Sequence, residues 1–250
     1  MTSEPRVQRV RHELKRRKLT VKRVEGLPAR MVRVVLSGED LIGFTSMGFD
    51  DHVKLTFGME ADTEVRRDFT PRKYDATAGE LWIDFFLHGD GPASQWAAHA
   101  TTGQTLEVGG PKGSMVIDSN GIDAYLLIGD ETALPAISRR LEELPAHTHA
   151  NVVVETEPGV DRPTLASPAT LTTHWVDRDP KGPPEVQLIE ALRRIGVSPS
   201  GCFAWVAHES HVARAIRTHL VEERGFGKKW VKAAGYWQRG TDGAHEPISD

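Results

Sequence analysis

Ala124-Tyr125-Leu126-Leu127-Ile128-Gly129-Asp130-Glu131-Thr132-Ala133-Leu134-Pro135-Ala136 runs from a short apolar stretch through a polar turn into the start of a helix. Ala124–Ile128 predicts a buried strand and Ala133–Leu144 a helix directly after it. The same alternation continues to the chain's end, with strands expected at Asn151–Glu155, Leu171–Val176, Cys202–Ala207 and Trp230–Tyr236. Helices are expected between them at Pro184–Ile195 and Val212–Glu223, and loops at Gly159 to Pro168 and Arg178 to Pro184. Strands alternating with helices imply βαβ units on a parallel sheet, and such sheets bind ligands beyond the carboxyl ends of their strands. Asp130 stands at the first of these ends.

Toward the N-terminus the period changes. Leu19 to Val24, Met31 to Leu36, His52 to Phe57, Leu81 to Leu87 and Leu106 to Val108 are short segments separated by Gly, Pro and Asp. In His52–Phe57 the apolar Val53, Leu55 and Phe57 alternate with His52, Lys54 and Thr56, the pattern of a half-buried antiparallel strand. Five or six such strands with little helix between them predict a small barrel. The expected fold is therefore α+β in two domains: an antiparallel β-barrel over residues 1–120 and an α/β parallel-sheet domain over 121–250.

Composition narrows the class. A 39% hydrophobic content suits an ordinary core, and no apolar run is long enough to span a membrane. The segment Met1 to Arg11 is polar with charges of both signs, unlike a signal peptide. A single cysteine, Cys202, inside an apolar strand reads as a core residue in a reducing, cytoplasmic compartment. The net charge of −4 argues against a nucleic-acid partner, and the basic stretch Arg9 to Lys18 reads as a solvated leading segment in preference to an anion patch. His147 and His149 share a loop with no companion ligands, so no metal site is expected.

Four segments carry chemistry. Arg66-Arg67-Asp68-Phe69-Thr70-Pro71-Arg72 follows an expected loop at Gly58–Glu64. It offers a guanidinium, a flat ring and a hydroxyl at alternate or adjacent strand positions, and it also reads as a charged edge strand with one core Phe. His88-Gly89-Asp90-Gly91-Pro92-Ala93-Ser94-Gln95-Trp96 leads from a strand through glycines into a short helix with Pro at its first position. The N–H groups there, with Ser94 beside them, suit an anion; a plain helix cap is the other reading. Gly129-Asp130-Glu131-Thr132 lies where a cofactor would, although its carboxylates suit hydroxyl contacts and helix capping better than phosphate. His208 and Glu209 close the Cys202 strand and are expected to face the same crevice as Asp130.

In this order the segments resemble the siderophore-interacting protein family of the ferredoxin-reductase-like superfamily, over roughly Leu19 to Gly240. The likeness also includes Asp51-His52-Val53-Lys54-Leu55, Trp205-Val206-Ala207 and Gly235-Tyr236-Trp237 with Arg239-Gly240. It implies an FAD-binding barrel followed by a nicotinamide-binding domain, and a flavoprotein that reduces ferric siderophores with NADPH or NADH. Hydride would pass to the flavin and electrons singly to Fe(III), releasing Fe(II). Arg67, Asp68, Phe69 and Thr70 would then contact FAD, with His88, Gly91, Pro92, Ala93 and Ser94 at its ribityl and diphosphate part. Asp130, Thr132, His208 and Glu209 would line the cofactor crevice, and Lys54 and Arg72 would form a basic surface for the anionic chelate.

Two positions depart from the family pattern. Phe69 replaces the usual Tyr, and His208 replaces the usual Gly, where a bulky, titratable ring is expected to crowd the nicotinamide or change its preference. Its removal is accordingly expected to speed flavin reduction. Two rival readings remain: a flavin reductase serving a ferredoxin or free flavin, and a flavin-containing siderophore binder without useful turnover.

Overall fold

Val53 and Leu55 are fully buried while Lys54 and Thr56 are only half-buried, so the alternation in the sequence becomes a strand with one face inward. The computed structural model describes residues 4–89, 91–241 and 246–248. The chain forms two compact units: Val7–Ile117 with Asp161–Pro163, and Met1–Arg6 with Asp118–Val160 and Thr164–Asp250.

The first unit contains β1 (Val7–Arg11), β2 (Arg16–Leu27), β3 (Met31–Ser37), β4 (Val53–Glu60), β5 (Thr63–Phe69), β6 (Lys73–Asp75), β7 (Glu80–Phe86), helix α1 (Pro92–Ala98), β8 (Thr105–Gly109) and β9 (Gly113–Ile117). Seven strands form an antiparallel sheet in the order β5-β4-β8-β2-β3-β7-β6, and β1 pairs with β9. β5 and β7 lie in opposite halves of that order. Nevertheless the rings of Phe69 on β5 and Phe85 on β7 are 4.4 Å apart. The sheet therefore curls, as a barrel does, around Leu19, Val34, Leu36, Leu55 and Ile83.

One expected loop is corrected. Gly58–Glu64 is mostly strand: β4 runs to Glu60, β5 starts at Thr63, and the turn is Ala61-Asp62 alone. Both turn residues have positive φ, 44° and 66°, the conformation of a two-residue hairpin. The hairpin's far end is exposed on both faces, so no alternation marks it in the sequence.

The second unit contains β10 (Ala124–Gly129), α2 (Leu134–Glu143), β11 (His149–Thr156), β12 (Thr170–Asp177), α3 (Pro184–Arg194), β13 (Cys202–Glu209), α4 (Ser210–Thr218), β14 (Val231–Trp237) and β15 (Glu246–Ile248). The sheet order is β12-β11-β10-β13-β14-β15, parallel except for the antiparallel edge strand β15. His149 thus begins β11 and is not a loop residue. Leu126, Ile128, Val153, Ala204 and Val206 of the sheet pack against Leu188 and Leu192 of α3 and Val212 and Ile216 of α4. Cys202 joins this core, and burial pushes its thiol pKa up to about 12. Among the described residues no helix is long and apolar enough to cross a membrane.

The chain leaves β10 toward β11 on one side and returns to β13 on the other, which makes the carboxyl ends of β10 and β13 the topological switch point. Glycine permits the close approach there. A Cβ on Gly129 would stand 2.3 Å from Ala133 Cβ and 2.7 Å from the Ala207 carbonyl oxygen. On β14, a Cβ on Gly235 would meet Ser210 Oγ at 2.2 Å, so the start of α4 can rest on that strand only over a glycine.

Candidate functional site

In the first unit, register sorts the side chains of β5. Arg67 lies opposite Leu55 and Phe69 opposite Val53, so these two share one face, while Asp68 lies opposite Lys54 on the other. The half-buried Phe69 ring rests on Phe85 and, edge-on at 6.1 Å, on Phe57. Arg67 is half-buried and donates from Nη1 to the Arg66 carbonyl at 2.9 Å. Thr70 is buried just past the strand. Asp68, expected beside the cofactor, instead receives Lys54 Nζ on both oxygens, at 2.8 and 3.0 Å.

Arg72 is a second correction. It is 7% exposed, with Nε 4.0 Å from the Asp84 carboxylate that Arg33 grips at 2.7 and 2.8 Å. It therefore lies beneath the surface and is not part of an exposed basic patch. Lys54, at 41% exposure, does reach the surface.

Beyond β7 the exposed His88 ring stacks on Phe86, with centroids 5.4 Å apart. Ser94 Oγ donates to the His88 carbonyl at 2.9 Å and accepts from the His88 N–H at 3.2 Å. The hydroxyl thus closes the loop, where an outward contact was expected. Gly91 caps α1 and Pro92 opens it. Gly91 and Pro92 are exposed and Ala93 half-buried, and a Cβ added to Gly89 or Gly91 would meet nothing within 4 Å. The first turn of α1 accordingly borders open space, and first-turn N–H groups lack intrahelical acceptors. Asp90 falls outside the described residues.

In the second unit, five neighbouring parallel strands each deliver a polar residue to the carboxyl end. Asp130 follows β10, Glu155 is on β11, Arg178 follows β12, His208 is on β13 and Trp237 ends β14. Asp130 Oδ1 accepts from the Thr132 N–H at 2.9 Å and the Thr132 hydroxyl at 2.5 Å; Oδ2 accepts Trp237 Nε1–H at 2.7 Å. Arg178 donates from Nε to Glu155 Oε2 at 2.8 Å and from Nη2 to Glu131 Oε2 at 2.5 Å. Glu131 Oε1 accepts the Glu157 N–H at 2.7 Å. Asp130, Glu131 and Glu155 are each only 1% exposed.

His208 lies among these groups, its side chain 2% exposed, with Nδ1 3.6 Å from Asp130 Oδ2 and Nε2 3.4 Å from Glu155 Oε2. Nδ1 accepts the Glu209 N–H at 2.7 Å. The ring is turned into the molecule, so the expected crowding of a crevice does not follow from its placement. Glu209 is also corrected: Oε2 accepts the His211 and Val212 N–H groups at 2.7 and 3.2 Å, capping α4.

Burial and charge compete in this cluster. Burial opposes a charge on His208, but Asp130 and Glu155 outweigh it and raise the imidazole pKa above its ordinary value. Burial, together with Asp130, also raises Glu131. Glu155 feels the same burial, yet His208 and Arg178 lower it. Arg178 is held firmly charged by its two carboxylates, against its own desolvation.

The family models for the siderophore-interacting protein and for the siderophore-interacting FAD-binding domain match residues 122–240, and residues 20–66 with 59–115. The NADPH-dependent ferric-chelate reductase of Escherichia coli is 35% identical to this chain, over 95% of the chain and 99% of the relative. The chain belongs to the siderophore-interacting protein family. The ferric vibriobactin reductase of Vibrio cholerae is 32% identical, over 85% of each protein. A siderophore utilization protein from T. fusca has a TM-score of 0.86 and 33% identity, covering 96% of this chain and 98% of that one. The fold of this siderophore-interacting protein is thus the one its sequence predicts.

The residue pattern alone brought Asp130, Thr132 and His208 to one place. It missed Glu155, Arg178 and Trp237 there and gave Glu131 no partner. A usable signal existed: each missed residue stands at or just past the carboxyl end of a strand in a parallel sheet.

Proposed function

We propose that this chain is an FAD-dependent reductase of ferric siderophores, with NADPH or NADH as donor. The observation that carries the reading is family membership over nearly the whole length, including a relative named for ferric-chelate reduction. Residues 1–120 are read as the FAD-binding domain and 121–250 as the nicotinamide-binding domain.

The donor set in the first unit fits FAD. A guanidinium, Arg67, shares a strand face with a flat ring, Phe69, and Thr70 adds a hydroxyl next in the chain. The turn into α1, with Gly91 exposed and Ala93 half-buried, adds main-chain N–H groups beside open space, which suits a diphosphate. In the second unit Asp130 and Thr132 are read as orienting the nicotinamide donor. When bound, FAD supplies the step from a two-electron hydride donor to a one-electron Fe(III) acceptor. The protein's own work is to bind, orient and exclude water, so no general acid or base is assigned.

Anaerobic mixing tests the reading. NADPH or NADH should bleach the flavin absorbance, and a ferric siderophore should restore it with formation of Fe(II). A flavin that neither nicotinamide reduces, but that reduced ferredoxin does, would transfer the donor role to that protein. A flavin that no donor reduces would leave a binder without turnover.

Lys54 is read as drawing in the anionic ferric chelate. Because Asp68 holds part of its charge, the effect should be modest: Lys54→Ala should raise the apparent KM for the chelate about three- to tenfold at low salt. FAD content should not change. The difference should shrink near physiological ionic strength, where charges are screened over about 8 Å. An unchanged KM at low salt would place acceptor docking elsewhere.

A further inference from the structure

At the switch point of the second unit, three carboxylates are buried with one guanidinium. Asp130, Glu131 and Glu155 lie together with Arg178, and the Oε1 atom of Glu155 is buried without a hydrogen-bond partner among the described residues. Such an end carries excess negative charge, yet the donor assigned to it is an anionic dinucleotide. Like charges at these depths repel more strongly than they would in water.

His208 is the group able to reverse this. Among the described residues the charged side chains set against its ring are Asp130 beyond β10 and Glu155 on β11; Arg178 beyond β12 joins Glu155 to Glu131, and the Glu209 carboxylate caps α4. Its β14 neighbour in register is Gly235, which adds no charge. An Nδ1 that accepts the Glu209 N–H bears no proton, so the ring as placed is neutral, with its proton on Nε2 toward Glu155. A second proton, taken from solvent, would go to Nδ1, displace that amide and face Asp130 Oδ2, now 3.6 Å away.

We infer that His208 is a positioning residue that makes this acidic strand end acceptable to an anionic dinucleotide, by taking up a proton as the donor binds beyond β10 and β13. The inference rests on the nicotinamide reading above. By linkage, a donor that draws a proton onto the ring binds more tightly as pH falls toward the ring's titration range. That range lies above the ordinary histidine value because the two carboxylates outweigh burial.

Calorimetric titration of the FAD-loaded protein with NADP⁺ or NAD⁺ tests this without turnover. Two buffers of different ionisation enthalpy report proton uptake, measured from about pH 6 to about pH 9. Wild type should take up a proton over part of the range, and its Kd should rise by up to about tenfold per pH unit above the titration. His208→Asn retains an acceptor for the Glu209 amide but cannot gain charge. It should take up no proton and show a flat Kd, about tenfold weaker than wild type at the acid end. Should that variant not fold, ring ¹⁵N shifts of wild-type His208 must move from neutral to protonated on adding NADP⁺. Binding with no proton uptake, or equal uptake in His208→Asn, overturns this inference alone. Absence of binding by either nucleotide at every pH overturns it together with the nicotinamide reading.

Discussion

Arg67→Ala should leave purification nearly colourless, having lost most of its FAD, while wild type is yellow. The side chain shares its strand face with Phe69 and sits on edge strand β5, so its removal deletes a guanidinium without opening the central core. A charge-assisted hydrogen bond is worth about 1.5–3 kcal/mol, so removing one weakens the Kd roughly tenfold to hundredfold. Arg67→Lys should fall between the two, because it keeps the charge but not the planar fork that matches two phosphate oxygens. The flavin-to-protein absorbance ratio after desalting, together with an unchanged far-ultraviolet spectrum, decides the matter. Full flavin retention in the alanine variant would remove Arg67 from the site.

Arg178→Ala should produce the largest loss of stability. The guanidinium bridges Glu131 and Glu155, both about 1% exposed, and its removal leaves two buried carboxylates without their cation. Breaking a buried ion pair from one side costs about 3–5 kcal/mol, and the lower end applies because Arg178 itself is 28% exposed. That corresponds to a Tm lower by on the order of 10 °C for a unit of this size. The pH dependence carries a sign. In wild type, Glu155 is held below the ordinary carboxylate range, so its contribution is present above that range and fades as pH falls through the depressed value. Glu131 is raised, so its contribution is present in acid and fades as pH rises through the raised value. Without Arg178 both carboxylates should protonate more readily in the folded protein, and the deficit should narrow between about pH 7 and about pH 5. Calorimetric scans across that range read this directly. A deficit that widens on acidification, or none at neutral pH, would mean that the two carboxylates do not depend on Arg178.

The order of elements in the second unit was legible from residue types alone. β10 and β13 are buried on both faces, so Leu126-Leu127-Ile128 and Phe203 to Ala207 form continuous apolar runs that polar turns interrupt. The first unit was less legible. β1, β6 and the outer part of the β4–β5 hairpin are exposed or only half-buried on both faces, which removes the alternation that marks a strand. The sequence by itself also determined that Arg67 and Phe69 share a face, because strand side chains alternate, and that Asp130 and His208 end strands of a parallel sheet. Only the tertiary structure decided what each polar group is committed to. It turned Asp68 to Lys54, Ser94 to the His88 main chain, Glu209 to the start of α4, and Arg72 beneath the surface. It also joined Asp130 to Trp237, 107 residues apart, and set Glu155, Arg178 and His208 around one another. Such pairings depend on strand order and register, where a one-residue slip reverses every face, and no local pattern of residue types encodes that choice.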